Sequence, residues 1–71
     1  MYGSYRIDGD KLRRLRVKLA LSQQDLERMT NITQSTISNL EQGNRPARLS
    51  TIRNLAAALN VEPTELMQEN L

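Results

Sequence analysis

Two short amphipathic stretches separated by only about three to four residues constrain this chain more than any other feature of its sequence. Ser22 followed by Gln23, Gln24 and Asp25 is a capping-box variant. The serine hydroxyl takes an N-terminal backbone N–H, and the acid reaches back to the cap's own N–H. A helix therefore starts at Gln23, carries Leu26 and Met29 inward, and stops near Thr30, because Asn31 tolerates the left-handed backbone that a sharp turn demands. Thr33 caps again, Ile37 and Leu40 repeat the inward spacing as far as Gln42, and Gly43 is the C-terminal stop. Helices this short, joined this tightly, cannot lie antiparallel. They cross at a steep angle, with Ile32 plugging the crossing.

That arrangement is a helix-turn-helix, and the rest of the chain reads as its support. Leu12, Leu15 and Leu19 place one apolar stripe on an earlier helix over about 9–20, with Asp8 or Asp10 as its cap. Residues 1–8 show no helical period and contain Gly3, which reads as an arm with Ile7 tucked onto the core. Gly43 to Ser50 form the one long loop, broken by glycine and proline and carrying Arg45 and Arg48. Ile52, Leu55, Ala56 and Leu59 mark a fourth helix, Asn60 its left-handed stop, and Val61 the turn back to the core. Pro63 opens a fifth, with Leu66 and Met67 inward. The expected fold is all-α: a compact bundle of five short helices, forming a single domain over 9–71 behind the arm.

Composition agrees and narrows the function. A chain of 71 residues is one domain at most, since it buries only about 60% of the surface exposed when unfolded. With Tyr2 and Tyr5 as its aromatics and neither Phe nor Trp, the core must come from Leu, Ile, Val, Met and Ala, which suits packed helices. Cysteine and histidine are both absent. Thiol chemistry, an imidazole base and nearly every zinc site are thereby excluded, no cofactor is implied, and an enzyme lacks any plausible nucleophile and base pair. The missing disulfides suggest a reducing, cytoplasmic setting, and no apolar run or signal-like N-terminus points to membrane or export. The formal net charge of +2 is unevenly placed. Arg6, Lys11, Arg13, Arg14, Arg16 and Lys18 crowd the front against Asp8 and Asp10, while Glu62, Glu65 and Glu69 stand unopposed at the end. A solvated helix face accounts for such a pattern, and so does a polyanion partner for one side of the molecule.

From Leu21 to Gly43 the chain reads LSQQDLERMTNITQSTISNLEQG, and here it resembles the helix-turn-helix of the Cro/repressor type, the XRE family. The likeness runs from about Leu12 to Leu66. It rests on Leu12 with Leu15 and Arg16, Leu-Ser-Gln at 21–23, Leu26, Ile32, Thr33, Ile37 and Ser38, the Glu41-x-Gly43 ending, and Leu55-Ala56-x-x-Leu59-x-Val61. Glu27 stands where family members usually have Ala, and Asn31 where they have Gly. Asn can adopt the turn's backbone, but Glu27 needs a route to water for its carboxylate. The loop after Gly43 also places its proline slightly early.

The resemblance implies a lambda repressor-like DNA-binding fold, with Gln34 to Glu41 in the major groove of double-stranded DNA and the preceding helix crossing the backbone. Ile37 and Leu40 face inward, so Gln34, Ser35, Ser38 and Asn39 point away and Thr36 lies at the edge. Gln34 and Asn39 are the leading base readers, because a carboxamide can accept from and donate to adenine at once. Ser35 and Ser38 are further base-reading candidates. Gln23 resembles the family residue that holds a phosphate and buttresses the first glutamine of the recognition helix. Ser22, Thr33 and Thr36 are assigned with it to the DNA backbone, Ser22 also being explicable as a cap. Arg45 and Arg48 lie in the loop past that helix and are assigned to phosphate. The family's arginine in the first helix pairs with the glutamate of the Glu-x-Gly ending, which implies a structural Arg16–Glu41 bridge.

The function expected is a dimeric transcriptional regulator, a repressor, on a pseudo-palindromic operator. The fifth helix and acidic tail around Leu66, Met67 and Leu71 either form the dimer seam or complete the monomer core. The alternative on the same fold is an antitoxin or other protein-interaction module gripping a protein partner.

Overall fold

The computed structural model describes residues 3–68. Five helices dominate, and the all-α expectation holds with one addition. A pair of two-residue strands, β1 (Ser4–Tyr5) and β2 (Ala47–Arg48), brackets the helix-turn-helix. The helices are α1 (Gly9–Lys18), α2 (Gln23–Thr30), α3 (Gln34–Glu41), α4 (Leu49–Leu59) and α5 (Pro63–Leu66).

Each start has a local cause. Asp8 caps α1 by accepting from the Lys11 N–H. Ser22 and Asp25 complete a reciprocal box on α2, at 2.9 and 2.8 Å. The Ser22 N–H, and then its hydroxyl, hold the Asp25 carboxyl below the usual carboxylate range. Its folded pKa is thus lower than its unfolded one, so the box favours folding at neutral pH and loses that effect as acid protonates Asp25. Thr33 caps α3 through the Thr36 N–H.

The ends are equally local. Asn31 and Asn60 are left-handed at φ 61°, and Gly43 at 74°. Around Gly43 the Asn44 N–H reaches the Asn39 carbonyl and the Gly43 N–H that of Leu40, and α4 closes the same way through Val61 and Asn60. The same pair of bonds ends α1, where the left-handed residue is Ala20 at φ 59°. Alanine there is strained by its Cβ, by about 1–2 kcal/mol. Ala20→Gly is therefore expected to stabilise the domain slightly, by up to about 1 kcal/mol once glycine's greater unfolded-state entropy is subtracted. Urea denaturation of the two proteins checks the sign, and a destabilised glycine variant would contradict it.

Leu12, Leu26, Ile37, Leu40, Ile52, Leu55 and Leu66 are fully buried and form one core with Ile7, Ala47, Ala56 and Leu59. Two inward assignments are corrected. Leu19 is 47% exposed, because α1 ends at Lys18 and the turn at Ala20 swings Leu19 off the stripe, leaving Leu15 and Leu21 to pack. Met29 is 52% exposed, and Thr30 takes the inner position one residue later. A polar residue can lie there because its hydroxyl donates to the Leu26 carbonyl at 2.7 Å and accepts from the Ile32 N–H at 3.2 Å. The Thr30 carbonyl in turn accepts from the Asn54 side-chain amide, tying α4 to the end of α2.

The arm is, where described, part of the fold. β1 pairs antiparallel with β2, Ser4 opposite Arg48 and Tyr5 opposite Ala47. Ile7 is buried and bridges to Met67, with the Asp8 N–H bonded to the Leu66 carbonyl and the Gln68 N–H to that of Arg6. Leu66 is wholly enclosed in the core of the single chain, so it leaves the set of dimer-seam candidates; Met67 is half-buried, and Leu71 and Glu69 lie outside the described residues. Among the described residues no helix is long and apolar enough to cross a membrane.

Candidate nucleic-acid interface

The outward edge of α3 follows from its inward one. With Ile37 and Leu40 in the core, Gln34 and Ser35 are exposed at the start of the helix, and Ser38 and Asn39 are half-buried one turn later. Ser38 is engaged by its neighbour, its hydroxyl accepting from the Gln42 amide at 3.3 Å. Asn44 donates to the same Gln42 side chain at 2.9 Å, so a line of hydrogen bonds continues from α3 into the loop. Thr36 does not share the exposed edge. Its hydroxyl lies 2.9 Å from that of Thr33, and its side chain faces the 43–50 loop.

The α3 helix is held from behind. Arg16 is buried against Glu41, its Nε donating to Oε2 at 2.6 Å and Nη2 to Oε1 at 3.1 Å, while Nη1 donates to the Leu21 carbonyl at 2.7 Å. One side chain thereby ties α1, the turn before α2 and the last residue of α3. The Glu41 hydrogen bond raises the guanidinium above its ordinary range by more than burial lowers it, so Arg16 stays charged throughout the working range of pH.

Gln23 joins this network. Its side-chain amide donates to Glu41 Oε1 at 3.1 Å, so its described partner is the ion pair and not Gln34, which the resemblance had suggested it buttresses. Glu27, the departure from the family's usual alanine, finds its route to water at the helix junction. There its carboxylate accepts the Gln34 N–H at 3.1 Å, satisfying an open amide at the positive end of α3. Residue spacing carried no signal for this contact, because the two residues are brought together only by the turn.

The 43–50 loop and α3 enclose a cleft of about 590 Å³, lined by Thr36, Arg45, Pro46, Arg48 and, beyond the residues singled out from sequence, Ser4 and Thr51. Arg45 and Arg48 are exposed. The cleft thus lies between the cationic loop and the face of α3 that carries Thr36 and Leu40.

The helix-turn-helix family model HTH_3 matches residues 12–66. The chain belongs to this family. Membership places this HTH_3 domain among helix-turn-helix DNA-binding transcription regulators. No curated protein sequence matches the chain. Among solved structures, the restriction-modification controller protein C.AhdI from Aeromonas hydrophila is 38% identical with a TM-score of 0.77, the match covering 80% of this chain and 86% of that one. A hypothetical transcription factor, NHTF from Neisseria, is 28% identical with a TM-score of 0.80, covering 89% of this chain and 72% of that one. An HTH_3 family transcriptional regulator from Vibrio cholerae has a TM-score of 0.75 over 82% of this chain and 33% of its own, but at 19% identity it shows the shared fold alone.

Proposed function

We propose that this HTH_3 domain is a sequence-specific regulator that reads the major groove of double-stranded DNA with α3, acting in the cytoplasm as a symmetric homodimer on a pseudo-palindromic operator. The observation that carries this reading is the outward edge of Gln34, Ser35 and Asn39 on a helix locked by Arg16 and Glu41 and followed by a loop that exposes Arg45 and Arg48. Gln34 and Asn39 offer the paired donor and acceptor that adenine's major-groove edge requires, and Ser35 and Ser38 offer hydroxyls to either. Gln23, Ser22, Thr33 and Thr36 contribute polar groups beside the phosphates, and the loop arginines supply sequence-independent, salt-sensitive attraction. A symmetric dimer sets two copies of α3 about 34 Å apart on one face of the duplex. Repression by occupancy of the operator is the proposed direction, and the similarity to a controller protein and a transcription factor supports control of transcription.

Selection from random duplexes by the wild-type chain and by Gln34→Ala tests the reading. Gln34→Ala is expected to lose discrimination at one base pair per half-site, worth about 1–3 kcal/mol, while the slope of log K against log salt stays unchanged. An unchanged motif would remove Gln34 from the base readers. Sedimentation across a concentration series tests the dimer, and a constant monomer mass both alone and on operator DNA would refute it.

A further inference from the structure

The N-terminal strand lies far in sequence from every residue just assigned to DNA, yet it forms one wall of the cleft beside α3. Ser4 lines that cleft together with Thr36, Arg45, Pro46, Arg48 and Thr51. Its placement is fixed from both ends of β1. On one side Ser4 and Tyr5 pair with Arg48 and Ala47; on the other, Ile7 is buried in the core and bridged to Met67. A two-residue ribbon has little stability in isolation, so its formation depends on that buried isoleucine and on the core residue Ala47 directly opposite Tyr5.

We infer that the β1–β2 ribbon and the start of α4 form a preorganised seat for a DNA backbone phosphodiester, in which Ser4 and Thr51 donate hydroxyls and the strand pairing fixes the backbone that carries Arg48. This rests on the DNA-binding reading above and extends it to a segment outside the helix-turn-helix. Three features of the cleft suit a phosphodiester. Its described lining holds two guanidinium groups and no carboxylate. The hydroxyls of Ser4, from the strand, and Thr51, from α4, are short donors of the kind that commonly contact phosphate oxygens. The cleft also adjoins α3, the helix assigned to the groove, through Thr36 and Leu40. Pairing β1 to β2 restricts a loop segment that would otherwise have to be ordered on binding, which lowers the entropic cost of placing Arg48.

Two variants of the full chain test the pairing and the hydroxyls, and the salt slope tells them apart. Ser4→Pro with Tyr5→Pro removes the backbone N–H groups of β1 together with the Ser4 hydroxyl and leaves Ile7 in place. Ser4→Ala with Thr51→Val keeps the backbone and deletes the two hydroxyls. Binding is measured to the duplex selected by the wild type and to a random-sequence duplex of equal length, each over a salt series, with thermal melts confirming folding. The proline pair is expected to weaken both complexes by about tenfold and to make the salt slope shallower by as much as about 0.9 for each protomer bound, as Arg48 loses its phosphate. The hydroxyl pair is expected to weaken both by about tenfold with the slope and the selected motif unchanged. If the wild type binds and the hydroxyl pair binds as tightly, the seat is refuted whatever the proline variant does. If the wild type binds no duplex even in dilute salt, the DNA-binding reading itself falls and the seat falls with it.

Discussion

Glu41→Ala is expected to cost about 3–5 kcal/mol, because it leaves the Arg16 guanidinium buried without its counter-charge. Arg16 would keep only its bond to the Leu21 carbonyl, and Gln23 would lose its described partner as well. Domains of this size have total stabilities of only about 5–10 kcal/mol, so the variant should lose a large share of its stability and melt far below the wild-type chain. Glu41→Gln keeps the shape and one acceptor, and should fall between the two proteins. Urea denaturation of all three is the test. A loss below about 1 kcal/mol for Glu41→Ala would mean the pair contributes no more than an exposed one. Because Glu41 is the last residue of α3, partial unfolding here should also weaken DNA binding more than the missing charge alone explains.

The second large effect sits at Gly9, the first residue of α1. A Cβ there would lie 2.3 Å from the Glu41 carbonyl oxygen and 2.7 Å from that of Leu40. Both are backbone atoms, so no flexible side chain can yield, and α1 must draw away from the end of α3. Crowding of this kind costs about 3 kcal/mol, against the roughly 1 kcal/mol by which alanine exceeds glycine inside a helix. Gly9→Ala is accordingly expected to destabilise by about 2 kcal/mol, although helix propensity alone predicts a gain. A thermal melt gives the sign directly, and a variant as stable as the wild type would show that the two helices are not held this close in solution. The shared location matters, since Gly9 and Arg16 both press α1 onto the end of α3 that carries Glu41.

The boundaries of α2 and α3 were readable because their causes are short-range. Ser22 with Asp25, Thr33 with Thr36, and the left-handed stops at Asn31, Gly43 and Asn60 each involve residues at most five positions apart, so residue type and spacing contain the whole interaction. The end of α1 was not readable, although its bonding is the same, because alanine at position 20 announces no left-handed turn. Met29 and Thr30 show the limit of periodicity. An apolar pattern ranks a methionine above a threonine for burial, and only the Leu26 carbonyl and the Ile32 N–H, both meeting one hydroxyl, reverse that ranking.

What the residues determine unaided is the order of short helices, the turn that sets α2 against α3, and which edge of α3 turns away from Ile37 and Leu40. These depend on backbone preferences and on burial along one helix at a time. The pairing of Ser4 with Arg48, the carboxylate of Glu27 at the head of α3, the turn of Gln23 towards Glu41 and the closeness of Gly9 to α3 were decided by tertiary structure alone. Each joins parts of the chain that no local pattern connects, and each exists only because core packing brings those parts within a few ångströms of one another.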